Sequence, residues 1–428
     1  MKKFLTIMLA SMIIFAMTAP AMAMHFDMSG KFRVRNFVLG NYIGGDDSSE
    51  FFDQRLRLSG KWGIVENVSL TFRADVLEGF WGDSLGALGE QVSTDPITNE
   101  LRIAEIFFQS QTKNQIAFDH VYGTFILPAT GTAVHLGRQP VNWGTKMAVA
   151  SDNRDRVKLI QKAGGVTLGF VYDKFRENFI LNSQNSEIQD NHAAGILAIA
   201  DLGGFKTGII GYHVMNKATP AVDTITSNVD VYTMGKIGNI GVKAEVNYVF
   251  GERDGNNVTT DLTGLAAYLG LDFAAGMTNL GLEVAYARGD DPNTAENEGI
   301  ASHDYDGPFN SIVLYHNLDY DGFQSIKAAD RGVSNALAVK ASATVKPSEK
   351  LSLTGAVVWA QQDELSMGAT GRTNGIDDDL GVEIDGILTY NIYDNVAYTL
   401  GLGYLMAGDA FGDIDDPWAM MNSVQINF

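Results

Sequence analysis

Hydrophobic and polar residues alternate along most of this chain. In Trp418–Phe428 one parity carries Trp418, Met420, Asn422, Val424, Ile426 and Phe428 and is mostly apolar, and the other carries Ala419, Met421, Ser423, Gln425 and Asn427. Upstream, Val396, Tyr398, Leu400, Leu402 and Tyr404 oppose Ala397, Thr399, Gly401 and Gly403. The same period recurs in Leu380–Tyr390, Leu351–Ala360, Leu337–Val345, Leu280–Tyr286 and Ile240–Phe250. A period of two predicts strands with one apolar face. These stretches run about ten residues or longer, the length of tilted membrane strands and beyond the usual five or six of globular sheets. Trp62, Tyr248, Tyr286, Trp359, Tyr390, Tyr404 and Trp418 fall near strand ends, where membrane barrels carry aromatic girdles. The pattern predicts an all-β fold, a single transmembrane antiparallel β-barrel.

The links predict the topology. Short turn-like links occur at Gly63–Asn67, Pro128–Gly131, Ala163–Gly165, Leu202–Gly204, Gly238–Asn239, Ala275–Asn279, Lys346–Lys350 and Ile392–Asn395. Eight such hairpins, a first strand near Phe26–Val38 and a closing strand at Trp418–Phe428 make about 18 strands. Sixteen is the alternative, because Arg156–Lys162 and Asp201–Met215 alternate poorly. Ahead of the barrel, Lys2 and Lys3, the apolar stretch Phe4–Met17 and the small-residue end at Ala21-Met22-Ala23 read as a secretory signal peptide over 1–23. The remainder, 24–428, reads as one barrel, with no apolar run long enough for a membrane helix.

Composition narrows the function. The 428 residues carry a net charge of −20 and no cysteine, with 45% hydrophobic residues. The acidic balance excludes a nucleic-acid partner, which needs cations for its phosphates. Without Cys there is no disulfide, thiolate zinc site or CxxCH haem attachment, so any haem would belong to a partner. The acids gather in the long links: Asp290, Asp291, Glu296, Glu298, Asp304 and Asp306, then Asp377-Asp378-Asp379, then Asp409, Asp413, Asp415 and Asp416. They are expected in extracellular loops. They read either as Ca²⁺ or Mg²⁺ ligands, at discrete sites or bridging lipopolysaccharide phosphates, or as a solvated charged surface, and no EF-hand spacing is present. No GxSxG or HExxH occurs, and the seven histidines, including the pairs His120/His135 and His303/His316, assign no catalysis.

Charges within the strand pattern carry more. Lys31, Arg33 and Arg35 share one parity, as do Asp53, Arg55 and Arg57, and Arg73 and Asp75. A charge on the lipid face is costly, so these side chains are expected to face the lumen. Three neighbouring strands then build a basic ladder, Lys31, Arg33, Arg35, Arg55, Arg57 and Arg73. It serves either as a conduction path for anions or, paired with Asp53 and Asp75, as a rigid wall.

The segment Val134-His135-Leu136-Gly137-Arg138-Gln139-Pro140-Val141-Asn142-Trp143-Gly144 resembles a strand of alginate-export-type and related outer-membrane porins. Arg55-Leu56-Arg57-Leu58 and Arg154-Asp155-Arg156 are similar to that group as well. The resemblance implies an 18-stranded porin for small or polymeric anionic compounds, with Arg138 in the lumen. Arg138 shares parity with the apolar Val134 and Leu136, so an inward arginine requires a bulge at Gly137. The terminal Phe428 resembles the signal that such barrels present to the barrel-assembly machinery. A passive porin for small anionic solutes is the expected function. The alternatives are an alginate-like polysaccharide export channel and the sheath of a cytochrome partner in an electron conduit. A homo-oligomer is a further expected partner.

Overall fold

A computed structural model of the chain describes residues 25–41, 48–81, 116–149, 152–176, 191–219, 222–255, 258–304, 306–315, 332–365 and 376–428. The expected signal peptide lies outside them. Eighteen antiparallel strands follow one another around a closed sheet: β1 (His25–Gly40), β2 (Ser48–Val65), β3 (Val68–Phe80), β4 (Ala117–Ile126), β5 (Ala133–Val141), β6 (Asp152–Ala163), β7 (Val166–Arg176), β8 (Asn191–Leu202), β9 (Phe205–Thr219), β10 (Val222–Ile237), β11 (Ile240–Gly255), β12 (Val258–Ala275), β13 (Thr278–Ala287), β14 (Ala336–Ser348), β15 (Leu351–Gln362), β16 (Asp379–Tyr393), β17 (Val396–Ala407) and β18 (Trp418–Asn427). Each strand pairs with its chain neighbours, and β1 pairs with β18 from Lys31↔Asn427 to Gly40↔Trp418. Closure leaves no sheet edge unpaired.

All eight expected short turns are present. Glycines with positive φ sit at several of them, including Gly164, Gly203, Gly238 and Gly276, where left-handed backbone closes the hairpin without a Cβ penalty. The sixteen-strand alternative falls because the two doubtful stretches are strands: β6, and β8 with β9. Their weak alternation has a cause. In β6 charges occupy both parities, with Arg154, Arg156 and Lys158 on one and Asp155 on the other.

Burial is inverted relative to a soluble protein. Apolar side chains point out, among them Ile196 at 70% exposure, Val246, Leu282, Val357, Ile384 and Leu402. Charged ones are enclosed: Arg33, Arg35, Asp53, Arg55, Asp75, Asp173, Glu245 and Glu383. A water-soluble sandwich buries its apolar face; this sheet presents it to lipid, which requires a bilayer around it.

The interior also holds an apolar cluster that the strands alone do not supply. Ala301, Phe309, Ile312, Val313, Leu314, Tyr315 and Val333, from the 288–335 link, and Met147, from the 142–151 link, are buried against Ala266, Ala285, Ala338, Val358 and Leu405 of the barrel wall. Two long links therefore fold into the barrel. The expectation that the acids of 288–335 stand in loops outside is corrected for Asp304 and Asp306, which travel inward with the apolar run.

A basic wall facing two inward loops

The ladder residues lie where the strand parity puts them. Lys31 stands opposite Arg57, Arg33 opposite Arg55, and Arg35 opposite Asp53 across β1 and β2. In β3, one residue is bulged out between the partners of Leu56 and Arg57, which brings Asp75 opposite Arg57. Arg35 grips Asp53 with Nε at 2.9 Å from Oδ1 and with a second, shorter contact from Nη2 to Oδ2. Arg57 holds Asp75 through Nε–Oδ1 and Nη2–Oδ2, both 2.7 Å. A bulge in β4 turns Asp119 inward, where Arg57 and Arg73 share its Oδ2 at 3.1 and 2.9 Å. Arg33 is 3.9 Å from Asp53, and Arg55 is 3.6 Å from Glu78.

Such forks hold guanidinium planes rigidly and in a fixed direction. Among the described residues, these contacts bring the ladder cations onto the carboxylates Asp53, Asp75, Glu78 and Asp119. The forks supply the rigid wall of one reading of the ladder and keep its guanidinium groups lining the lumen, as the other reading requires. Arg57 and Arg73 keep about a fifth to a quarter of their side-chain surface open, at 20% and 25%. Arg35, at 3%, is sealed.

The wall extends further than the ladder expected from sequence. On β6, Arg156 binds Asp173 at 2.5 and 2.6 Å, and Arg154 binds Asp173 at 3.3 Å and Tyr212 Oη at 2.9 Å. The Tyr212 hydroxyl also donates to Asp173. The signal was there in the inward spacing of Arg154, Arg156 and Lys158, hidden by Asp155 between them.

Arg138 is a correction. No bulge forms at Gly137: pairing runs unbroken through Tyr122↔Gly137 and Val121↔Arg138 on one side and through Gly137↔Arg156 and Arg138↔Asp155 on the other. Gly137 does adopt φ +119°, but it keeps the register. Arg138 consequently points outward with Leu136, 3.6 Å from Asp155. Its neighbour Gln139 takes the inward place, buried, with its amide donating to the Arg156 carbonyl at 2.8 Å. His120 and His135 do not meet, since His120 opposes Arg73, and His135 opposes Thr124 with Nδ1 2.9 Å from its hydroxyl. His316 lies outside the described residues.

The far wall anchors the loops. Glu383 of β16, fully buried, accepts from the backbone N–H groups of Ile312, Val313 and Leu314 at 2.7, 2.6 and 2.9 Å and from Ser311 Oγ at 2.7 Å. Glu245 of β11 does the same for the other loop. It accepts from the Thr145 N–H, from Thr145 Oγ1 at 2.7 Å and from the Ala148 N–H at 3.2 Å. Beside it, Trp143 Nε1 donates to Asp230 Oδ1 at 2.6 Å. Glu245 lies five residues up from the start of β11, about 17 Å along the strand, so the 142–151 loop reaches deep into the lumen. The loops join where the Asp304 N–H donates to the Met147 carbonyl at 2.6 Å. Lys340, bound to Glu283 at 2.5 Å and to the Asn310 carbonyl at 3.1 Å, adds a further tie.

The acidic rim satisfies itself. Glu298 takes Arg288 at 3.2 Å and Thr294 at 3.0 Å, and Asp291 takes the Asn293 N–H at 2.9 Å. Among the described residues no group of three or more His, Asp or Glu side chains is arranged to hold a metal ion.

A closed barrel with an apolar exterior, a charged interior and loops folded into the lumen is an outer-membrane channel protein by architecture. The family model for alginate export matches residues 183–423, more than half of the chain, and the chain belongs to that family. Solved structures share the fold at low identity. A BenF-like porin from Pseudomonas fluorescens Pf-5 is 11% identical, with a TM-score of 0.56 over 94% of this chain and 99% of that one. The outer membrane protein opdK from Pseudomonas aeruginosa is 11% identical, with a TM-score of 0.54 over 94% and 99%. Pseudomonas aeruginosa OpdO is 12% identical, with a TM-score of 0.53 over 94% and 97%. No curated protein sequence matches the chain.

Proposed function

We propose that the protein is a passive outer-membrane porin whose conduction path for small anionic solutes runs along the wall of β1–β6. The row of fixed guanidinium groups on β1–β3, with Arg57 and Arg73 partly open, carries this reading. The loops support it, because both are pinned to carboxylates of β11 and β16, away from the basic strands. An anion passing Arg57 and Arg73 meets fixed guanidinium donors in place of part of its hydration shell. Membership of the alginate export family favours a second substrate of the same chemistry, a linear polyuronate, whose carboxylates would use the same wall. The two inward loops occupy space that a sheathed cytochrome would need, which disfavours the conduit. The exposed ring of Phe428 at the β1–β18 seam supports its role as the residue presented to the assembly machinery.

The test is reversal potential in a planar bilayer under a salt gradient. The wild-type channel is expected to prefer chloride over potassium, and Arg57→Ala with Arg73→Ala to lower that preference severalfold. Selectivity that is cationic, and unmoved by the substitutions, would sink the anion path. Block of the current by oligouronates, but not by neutral oligosaccharides of equal length, would extend the substrate class to polyuronates.

A further inference from the structure

The outer wall is not uniform at its extracellular rim, the end of the barrel that carries the long links. On β13 and β17 the outward tyrosines are met by carboxylates: the Tyr286 hydroxyl donates to Asp363 at 3.1 Å, and the Tyr404 hydroxyl to Asp416 at 2.6 Å. On β5–β8 the outward row at the same end is Arg138, Asp155, Lys174 and His192, each directly opposite the next across the strands. These residues stand one to three positions from the long-link ends of their strands. Arg138 and Asp155 remain exposed at 45% and 63% of their side-chain surface, 3.6 Å apart. The row below them is Leu136, Val157, Tyr172 and Ala194, with Phe170 and Ile196 one step further down. Apart from Ala194, these are large, apolar or aromatic, and exposed. Tyr172 lies beside His192, with ring centroids 6.0 Å apart. The face thus changes from apolar to charged over two residues of each strand, about 7 Å.

We infer that Arg138 and Lys174 hold the phosphate of an outer-leaflet lipid, on the phosphorylated sugar headgroup of lipopolysaccharide, with its acyl chains lying down the apolar face beneath. Charge selects the headgroup. The two cations stand two strands apart, about 10 Å, and their long side chains reach from the edge of the apolar band into the headgroup layer, as cations at a membrane boundary do. A guanidinium and an ammonium so placed offer charge-assisted donors to phosphate oxygens, the usual basis of anionic lipid recognition. Asp155 does not oppose this. At 3.6 Å it steadies the Arg138 guanidinium, which has five donors and can serve a phosphate as well. The apolar rows select a lipid over a free anion, since chains attached to the headgroup fall directly on Leu136, Val157 and Tyr172. At the β13 and β17 rim Asp363 and Asp416 repel the same headgroup, so the site belongs to one wall. The inference rests on the barrel's place in the outer membrane and stands independently of the solute.

The test takes the intact barrel, stripped of lipid in detergent, and three probes: lipid A, lipid A freed of its phosphates, and inorganic phosphate. Native mass spectrometry is expected to show lipid A bound about tenfold more tightly than its dephosphorylated form, and inorganic phosphate unable to displace it. Arg138→Gln with Lys174→Gln is expected to remove that difference, and Asp363→Asn with Asp416→Asn on the far wall to leave it in place. Equal binding of the two lipids by the wild-type chain, or a double glutamine variant that still prefers the phosphorylated one, would overturn the site. Displacement by inorganic phosphate would make it a site for the free anion and overturn the lipid. The comparison of the two lipids on the wild-type chain decides the matter even where the glutamine variant fails to assemble.

Discussion

At the scale of the residue, single carboxylates and one imidazole do most of the positioning. Glu383 collects three backbone N–H groups and a hydroxyl, which a loop folded into a protein interior would otherwise leave unsatisfied. His303 sits in the same loop, its N–H donating to the Val333 carbonyl at 2.8 Å and its Nε2 to the Tyr286 carbonyl at 3.0 Å. Burial of its ring lowers its pKa from 6.5 to about 4. Above about pH 6.5 the imidazole is neutral with the loop docked or released, so it adds no pH dependence. As pH falls from 6.5 towards 4 only the released loop binds the proton, and docking weakens by up to about 3 kcal/mol. Proteolysis of the 288–335 loop, or current noise, is expected to rise through that window in the wild-type protein and to be flatter in His303→Gln. Glu383 did not announce itself in the sequence, and His303 stood out only as one of a histidine pair in an acidic link. A lone Glu in an alternating strand looks like any lumen residue, and its partners lie some 70 positions away. The legible clue was the apolar run Ile312-Val313-Leu314-Tyr315 inside an otherwise acidic link, which has no reason to stand in water.

At the scale of the element, the strands were readable because each has one partner medium per face. Trp418–Phe428 alternates, apart from Met421 and Asn422, since its outward residues meet lipid and its inward ones the lumen. β6 does not, because it carries Asp155 on its outward parity between the inward Arg154 and Arg156, and the same outward pair hid the direction of Arg138. Resemblance to a family strand placed that arginine in the lumen; ladder geometry, which sequence does not carry, places it outside. The seam between β1 and β18 shows a further device. The Phe428 ring lies over Gly30 and the Trp418 ring over Gly40, and a Cβ at either glycine would run into the ring. Aromatic cover of a cross-strand glycine stabilises a pair that glycine alone would weaken. Gly40→Val is therefore expected to destabilise closure by about 1–3 kcal/mol, the usual cost of overpacking. The check is the temperature at which the compact barrel converts to the slower unfolded form in a detergent gel. Conversion at the wild-type temperature would show that Trp418 has room to move aside.

At the scale of the whole molecule, the proposed conduction path and the loop anchors lie on two different walls. The β1–β6 side carries guanidinium groups fixed by carboxylate forks, and the β10–β16 side carries the carboxylates that hold the loops. If conduction follows the basic wall as proposed, width and charge preference rest on different residues and separate by mutation. Glu245→Gln and Glu383→Gln each replace charge-assisted acceptors with an amide that offers one oxygen, and together they should weaken loop docking by about 3–6 kcal/mol. Single-channel conductance is expected to rise, with more frequent full openings, while the chloride preference changes little, because both glutamates are sealed beneath their loops. Arg57→Ala with Arg73→Ala should do the reverse, lowering the chloride preference at nearly unchanged conductance. If the glutamine variants left conductance unchanged, the apolar cluster around Phe309 and Leu314 alone would be holding the loops. If they shifted selectivity as strongly as the arginine variants, the solute would be passing the far wall, and the basic ladder would be scaffold.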